Sequence, residues 1–200
     1  MLRSPVRLDR RGTERCYVRS AQVAPALEHA PHVASLVVGI NDTLHADWNP
    51  AQVRVDLLQT AALLHERGAV LMTARFHDHS QVFRLPGFVA RPLRERINQL
   101  NAVYDEVAER FGGVQVDLST HPGVYDREFW SADRLHPSEL GHRVLADEFA
   151  AGLADHGLAF DPPGLTPDAA CPGRSETIRT VITEVVPWAA RRLGEFARYR

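Results

Sequence analysis

Residues 34–42 read Ala34-Ser35-Leu36-Val37-Val38-Gly39-Ile40-Asn41-Asp42. The apolar run up to Val38 is the pattern of a strand buried on both faces, as in a parallel sheet. It gives way at once to a glycine and polar residues that favour turns. In an open α/β sheet the ligand crevice lies beyond the carboxyl ends of the strands. Asn41 is therefore expected to project its amide into that crevice, where it can donate a hydrogen bond to a developing oxyanion. Gly39 allows a close or left-handed backbone approach that a side chain would block. Asp42 reads as a turn former whose carboxylate bonds nearby backbone N–H groups. An ordinary strand-to-helix turn would use the same tetrapeptide, so the stretch decides the fold before it decides any chemistry.

Outward from this strand, strand and helix patterns alternate, which predicts a parallel sheet with crossover helices. Strands are expected near 5–9, 33–38, 69–74 and 114–118, and helices over 15–29, 50–67, 90–111 and 138–155. Asn49-Pro50 and Gly68 mark the start and stop of the second helix. Within it, Val53, Leu57, Leu58, Ala61 and Leu64 recur at the spacing of a core-facing stripe. Proline and glycine gather between Asp161 and Arg174, and an apolar-faced helical pattern interrupted at Pro187 follows. The expected organisation is an α/β domain over 1–157, a linker over 158–174 and a helical tail over 175–200.

A second stretch, Asp133-Arg134-Leu135-His136-Pro137, sets a carboxylate three positions before a histidine. Activation of a serine needs an imidazole to take the hydroxyl proton, and a carboxylate to hold the ring in one tautomer and stabilise it once charged. One short turn can supply both here. The helical pattern that follows places the pair where a loop meets a helix, with Pro137 suited to the first helical position. A turn without chemistry would account for the same five residues.

Together, Gly39-x-Asn41-Asp42 after a strand and Asp133-x-x-His136 before the last core helix resemble the SGNH (GDSL-type) hydrolase family. The likeness extends through residues 68–76, 93–101 and 114–118, and covers most of 5–150. It implies a three-layer, flavodoxin-like α/β fold with a parallel sheet. It further implies His136 as general base, Asp133 as its orienting partner, and Asn41, Gly39 and Gly12 at an oxyanion hole, Gly12 following the strand near 5–9. The implied substrate is a small-molecule carboxylic ester cleaved through an acyl-serine, with no metal or organic cofactor. The family's nucleophile lies in a Gly-Asp-Ser motif directly after its first strand, and these 200 residues contain no Gly-Asp-Ser. Ser131 and Ser138 stand near His136 but fit turn and helix-start roles. No nucleophile is identified. The resemblance therefore implies a fold partial at its N-terminus, truncated before the nucleophile block, and a chain inactive as it stands. A non-catalytic module that keeps the pocket to bind an acyl group or a sugar is the alternative.

Composition narrows the remaining classes. Two hundred residues with 44% hydrophobic content can bury one sizeable core. All 23 basic residues are arginine, which excludes a phosphate-loop lysine, a Schiff base and a Ser-x-x-Lys nucleophile. The net charge is −2 and the arginines are scattered, so nucleic acid is not an expected partner. Cys16 and Cys171 form no Cys-x-x-Cys pair and are expected as free thiols. His77-Asp78-His79 would suit a metal on a strand, where alternate side chains share a face. It follows a strand and reads instead as a polar loop at the crevice rim. No apolar signal region or membrane-length stretch occurs, so a cytoplasmic protein is expected unless a signal peptide lies upstream.

Overall fold

Three parallel strands stand in the order β1 (Val33–Ser35), β2 (Val70–Arg75) and β3 (Val114–Asp117), with Val33 beside Val70 and Met72 beside Val114. The computed structural model describes residues 22–168, 173–185 and 187. The helices are α1 (Val23–Glu28), α2 (Pro50–Glu66), α3 (His79–Val82), α4 (Gly87–Phe111), α5 (Glu139–Ala154) and α6 (Arg174–Thr180), the last running into a π-helical turn over Val181–Val185. The expected strand near 5–9, the first part of the expected helix over 15–29, Gly12, Cys16 and Cys171 lie outside the described residues. No helix among the described residues is long and apolar enough to cross a membrane.

The sheet separates two apolar layers, so the fold is a three-layer α/β arrangement. On one face Leu71 meets Val53, Leu57, Ala61 and Leu64 of α2 and Leu93, Ile97, Leu100 and Val107 of α4. On the other, Ala74, Val114 and Val116 meet Phe149 and Leu153 of α5. Alternation along β2, with Leu71 to one layer and Val70, Met72 and Ala74 to the other, is the period-2 signature of a strand covered on both sides. Two crossovers through α2 and α4 on a common face are what right-handed βαβ connections produce.

Some boundaries differ from the sequence expectation for identifiable reasons. Helix α4 begins at Gly87 rather than near residue 90 and carries Pro92 inside it. The ring costs the helix the bond to the Phe88 carbonyl, and Phe88 is 82% exposed, so water can serve that oxygen. Helix α5 begins at Glu139, beyond Pro137, because the Ser138 hydroxyl caps the helix by accepting from Gly141 N at 3.2 Å. The stretch around residues 161–168 is held to α5, where Arg143 donates to the Gly164 carbonyl at 2.7 Å and pairs with Asp168 at 2.8 Å.

Strand β1 is shorter than expected, because polar side chains of α4 replace its sheet partners. After Leu36 N bonds Met72 O at 2.8 Å, the Tyr104 hydroxyl accepts from Val38 N at 2.9 Å and donates to Val38 O at 2.7 Å. One helical turn away, the Asn101 amide does the same for Phe76 beyond β2, accepting from its N–H at 2.7 Å and donating to its carbonyl at 2.8 Å. Two side chains of one helix thus clamp the carboxyl ends of β1 and β2. Removing the Tyr104 hydroxyl would strand two backbone groups beside a fully buried ring. Tyr104→Phe is expected to cost about 1–3 kcal/mol in urea unfolding, and an unchanged midpoint would show that water replaces the clamp.

Candidate active site

The clamped end of β1 leads directly into Gly39 and Asn41. Gly39 has φ 96° and is buried, and a Cβ built there would lie 2.9 Å from Leu100 Cδ1. The left-handed backbone and the close approach both require glycine. Gly39→Ala is expected to cost about 1–3 kcal/mol, read as a lowered melting temperature. Asn41 is half-buried at the start of a 3-10 turn over Asp42–Leu44, and its side chain does not cap that turn. Asp42 is buried within the turn.

Asp133 and His136 sit in a loop closed at its base. Trp130 and Pro137 form an antiparallel bridge, Ser131 N donates to His136 O at 2.9 Å, and Ser138 N donates to Phe129 O at 2.8 Å. Arg134 adopts φ 57°, a left-handed conformation unusual for a side-chain-bearing residue, and its guanidinium donates to the Val82 carbonyl at 2.9 Å. The turn it makes brings His136 Nδ1 to 2.8 Å from Asp133 Oδ2. Asp133 Oδ1 also accepts from Leu135 N at 2.9 Å, from His136 N at 3.1 Å and from the Ser131 hydroxyl. Burial pushes the Asp133 carboxyl up, but hydrogen bonds from His136, Ser131 and the two backbone N–H groups outweigh it and hold the group well below the usual carboxylate range. The result is an ionised, fully oriented acceptor facing one nitrogen of an exposed imidazole, the arrangement a general base needs.

Beneath this loop lies a feature the sequence reading missed. His77 and His79 are buried, not on a polar rim, and bond each other, Nε2 to Nδ1, at 2.8 Å. Trp130 covers both, at ring distances of 4.7 Å and 5.1 Å. Burial, with a smaller contribution from His79, drives His77 down to about 3; burial drives His79 down to about 4 against the nearby Arg134 backbone and the charges of Asp78 and Asp133. Both rings are neutral at ordinary pH. Among the described residues no group of three or more His, Cys, Asp or Glu is placed to hold a metal ion.

Asp133 and His136 are therefore brought together by the fold. Gly39 and Asn41 stand at the carboxyl end of β1, with β2 between them and β3, while the loop after β3 folds back over the residues that follow β2. A cavity of about 380 Å³ opens at the carboxyl ends of β2 and β3, walled by Arg75, Asp78, Arg94, Asn98, Ser119 and Tyr125 among others, and none of Asn41, Asp133 or His136 lines it. Its one legible trace in the sequence is the four-residue spacing of Arg94 and Asn98, which puts both on one helix face.

The model of the GDSL-like lipase/acylhydrolase family matches residues 8–144. An acetylxylan esterase of Geobacillus stearothermophilus is 27% identical over 136 residues, covering 60% of this chain and 58% of that protein. The chain thus spans less than two thirds of that relative's length. No solved structure matches.

Proposed function

The chain belongs to the GDSL-like lipase/acylhydrolase family, and from that premise we propose that it carries the base half of an ester-hydrolysing site. The observation that carries this reading is the 2.8 Å bond between His136 Nδ1 and a carboxylate already fixed by three other donors. With Asp133 ionised, Nδ1 bears the proton of the neutral ring and Nε2 is the base. A serine hydroxyl attacks the ester carbonyl carbon, its proton passes to Nε2, and Asp133 steadies the imidazolium. The departing alcohol then takes that proton, and water repeats the sequence on the acyl-serine. Asn41 and the Gly39 backbone serve the oxyanion. Similarity to an acetylxylan esterase supports an acetylated carbohydrate among the possible esters.

No Gly-Asp-Ser occurs in these residues, so the chain as it stands is proposed to be inactive, the serine coming from sequence outside it. The same absence favours a second reading, a module that keeps the pocket and binds an acyl group or sugar without turnover. Expression of the chain joined to the sequence encoded in frame upstream of Met1 separates the two. Hydrolysis of p-nitrophenyl acetate by the joined chain, lost in His136→Ala, supports the hydrolase. A joined chain without Gly-Asp-Ser and without turnover, in which His136→Ala changes only ligand affinity, supports the binding module.

A further inference from the structure

The segment 76–82 borders two different features. On one side Arg134 of the Asp133–His136 loop is tied to the Val82 carbonyl. On the other, Asp78 and Gln81 form part of the wall of the 380 Å³ cavity, which the proposed chemistry leaves unassigned.

Both arginines of this wall are already paired, one with a wall carboxylate and one with carboxylates behind it. Arg94 Nε donates to Asp78 Oδ2 at 2.8 Å, while Arg75 lies 3.2 Å from Asp105 and 3.7 Å from Asp117. An anion entering here would have to compete with the carboxylates already paired to both guanidinium groups, and would gain little. An acyl chain fits no better, although Phe76 and Ile97 form part of the lining. The terminal nitrogens of Arg94 and the side-chain amide of Asn98 make no hydrogen bond with another described residue, and apolar cover would leave them unmatched. What the wall offers is a set of donors and acceptors on one face of α4, a hydroxyl at Ser119, and the 40% exposed ring of Tyr125, whose oxygen accepts from Asp78 N at 3.2 Å. Vicinal hydroxyls, each both donor and acceptor, match the polar groups, and the C–H face of a sugar ring matches the aromatic one. The volume lies at the small end of ligand pockets, enough for one ring.

We propose that this cavity is a saccharide subsite that holds the neutral, hydroxyl-rich alcohol portion of the ester substrate. Its role in turnover rests on the hydrolase reading above; its ability to bind sugar does not.

The test is titration of the 200-residue chain, followed by ¹H–¹⁵N correlation spectra, with methyl glycosides of xylose, glucose, galactose and mannose, and separately with inorganic phosphate and hexanoate. Saturable shifts with at least one glycoside, centred on the Asp78, Asn98 and Ser119 amides, are expected. Asn98→Ala and Arg94→Ala, with spectral dispersion intact, should each weaken binding by about fivefold to tenfold. Tighter binding of phosphate or hexanoate, no saturable response to any glycoside, or affinities unchanged in both variants would overturn the inference. Absent sugar binding in a chain that hydrolyses esters once joined to Gly-Asp-Ser removes the subsite alone. A sugar-filled cavity in a joined chain whose turnover survives His136→Ala removes the catalytic reading alone.

Discussion

Ester turnover by the chain joined to a Gly-Asp-Ser segment is expected to fall by on the order of a millionfold when His136 becomes alanine, the loss seen when the base or nucleophile of a serine triad is removed. The 200-residue chain alone should release no p-nitrophenol above the solvent rate. Both expectations follow from one physical fact: an unactivated hydroxyl is a poor nucleophile, and an activated base without a hydroxyl has nothing to deprotonate. Asp133→Asn is the more informative companion. It keeps the size of the side chain but offers Nδ1 an uncharged amide, so the tautomer is no longer fixed, and a loss of about ten-thousandfold is expected. Hydrolysis by the 200-residue chain that disappeared on Ser131→Ala or Ser138→Ala would show that the nucleophile lies in the loop itself. The hydrogen bonds argue against that outcome. Ser131 spends its hydroxyl on Asp133, and Ser138 donates to the Glu128 carbonyl while accepting from Gly141 N.

Much of this arrangement was legible because its signals are local. The apolar runs at β2 and β3, the Asn49-Pro50 start of α2 and the three-residue spacing of Asp133 and His136 are each readable within one turn or one strand. What escaped depends on contacts between distant positions. Nothing near residue 77 announces that Trp130 will roof a pair of histidines, so a polar tripeptide after a strand reads as a rim. In the same way Asn101 and Tyr104 interrupt an apolar stripe on α4, and only the fold reveals that their polar atoms complete the backbone of Phe76 and Val38. The cavity escaped for a related reason, since its walls come from two strand ends, α3, α4 and the 3-10 turn over Pro122–Tyr125. Asn101 and Tyr104 are worth their burial because backbone groups satisfy their polar atoms, whereas His77 and His79 are satisfied through one ring nitrogen each, by the other.

Acid is expected to unfold the chain well before its carboxylates are exhausted, and the buried histidine pair sets the window. In the unfolded chain each imidazole takes up a proton near 6.5, whereas burial holds His77 to about 3 and His79 to about 4 in the fold. The unfolded state therefore binds more protons throughout the interval between those values, and stability must decline as pH falls through it. Above about pH 7.5 both rings are neutral in both states and the pair exacts nothing. By about pH 4 the accumulated loss is on the order of 5 kcal/mol, a large share of the stability of an ordinary domain. Asp78 and Asp133, both held low by their hydrogen bonds, add to the loss only as pH approaches the ordinary carboxylate range. Urea unfolding from about pH 7 down to about pH 4.5 should isolate the histidines, chiefly the pair, with a smaller share from His142, which burial also pushes down. The wild-type free energy should decline steeply there, and a His77→Gln, His79→Gln double variant, unable to take up protons in either state, should show a much flatter dependence. Parallel slopes for the two proteins would mean that the rings already accept protons in the folded chain. Since Trp130 lies on that pair and also pairs with Pro137, protonation there should disturb the Asp133–His136 loop as well, making the acid limit of folding an acid limit for the proposed base.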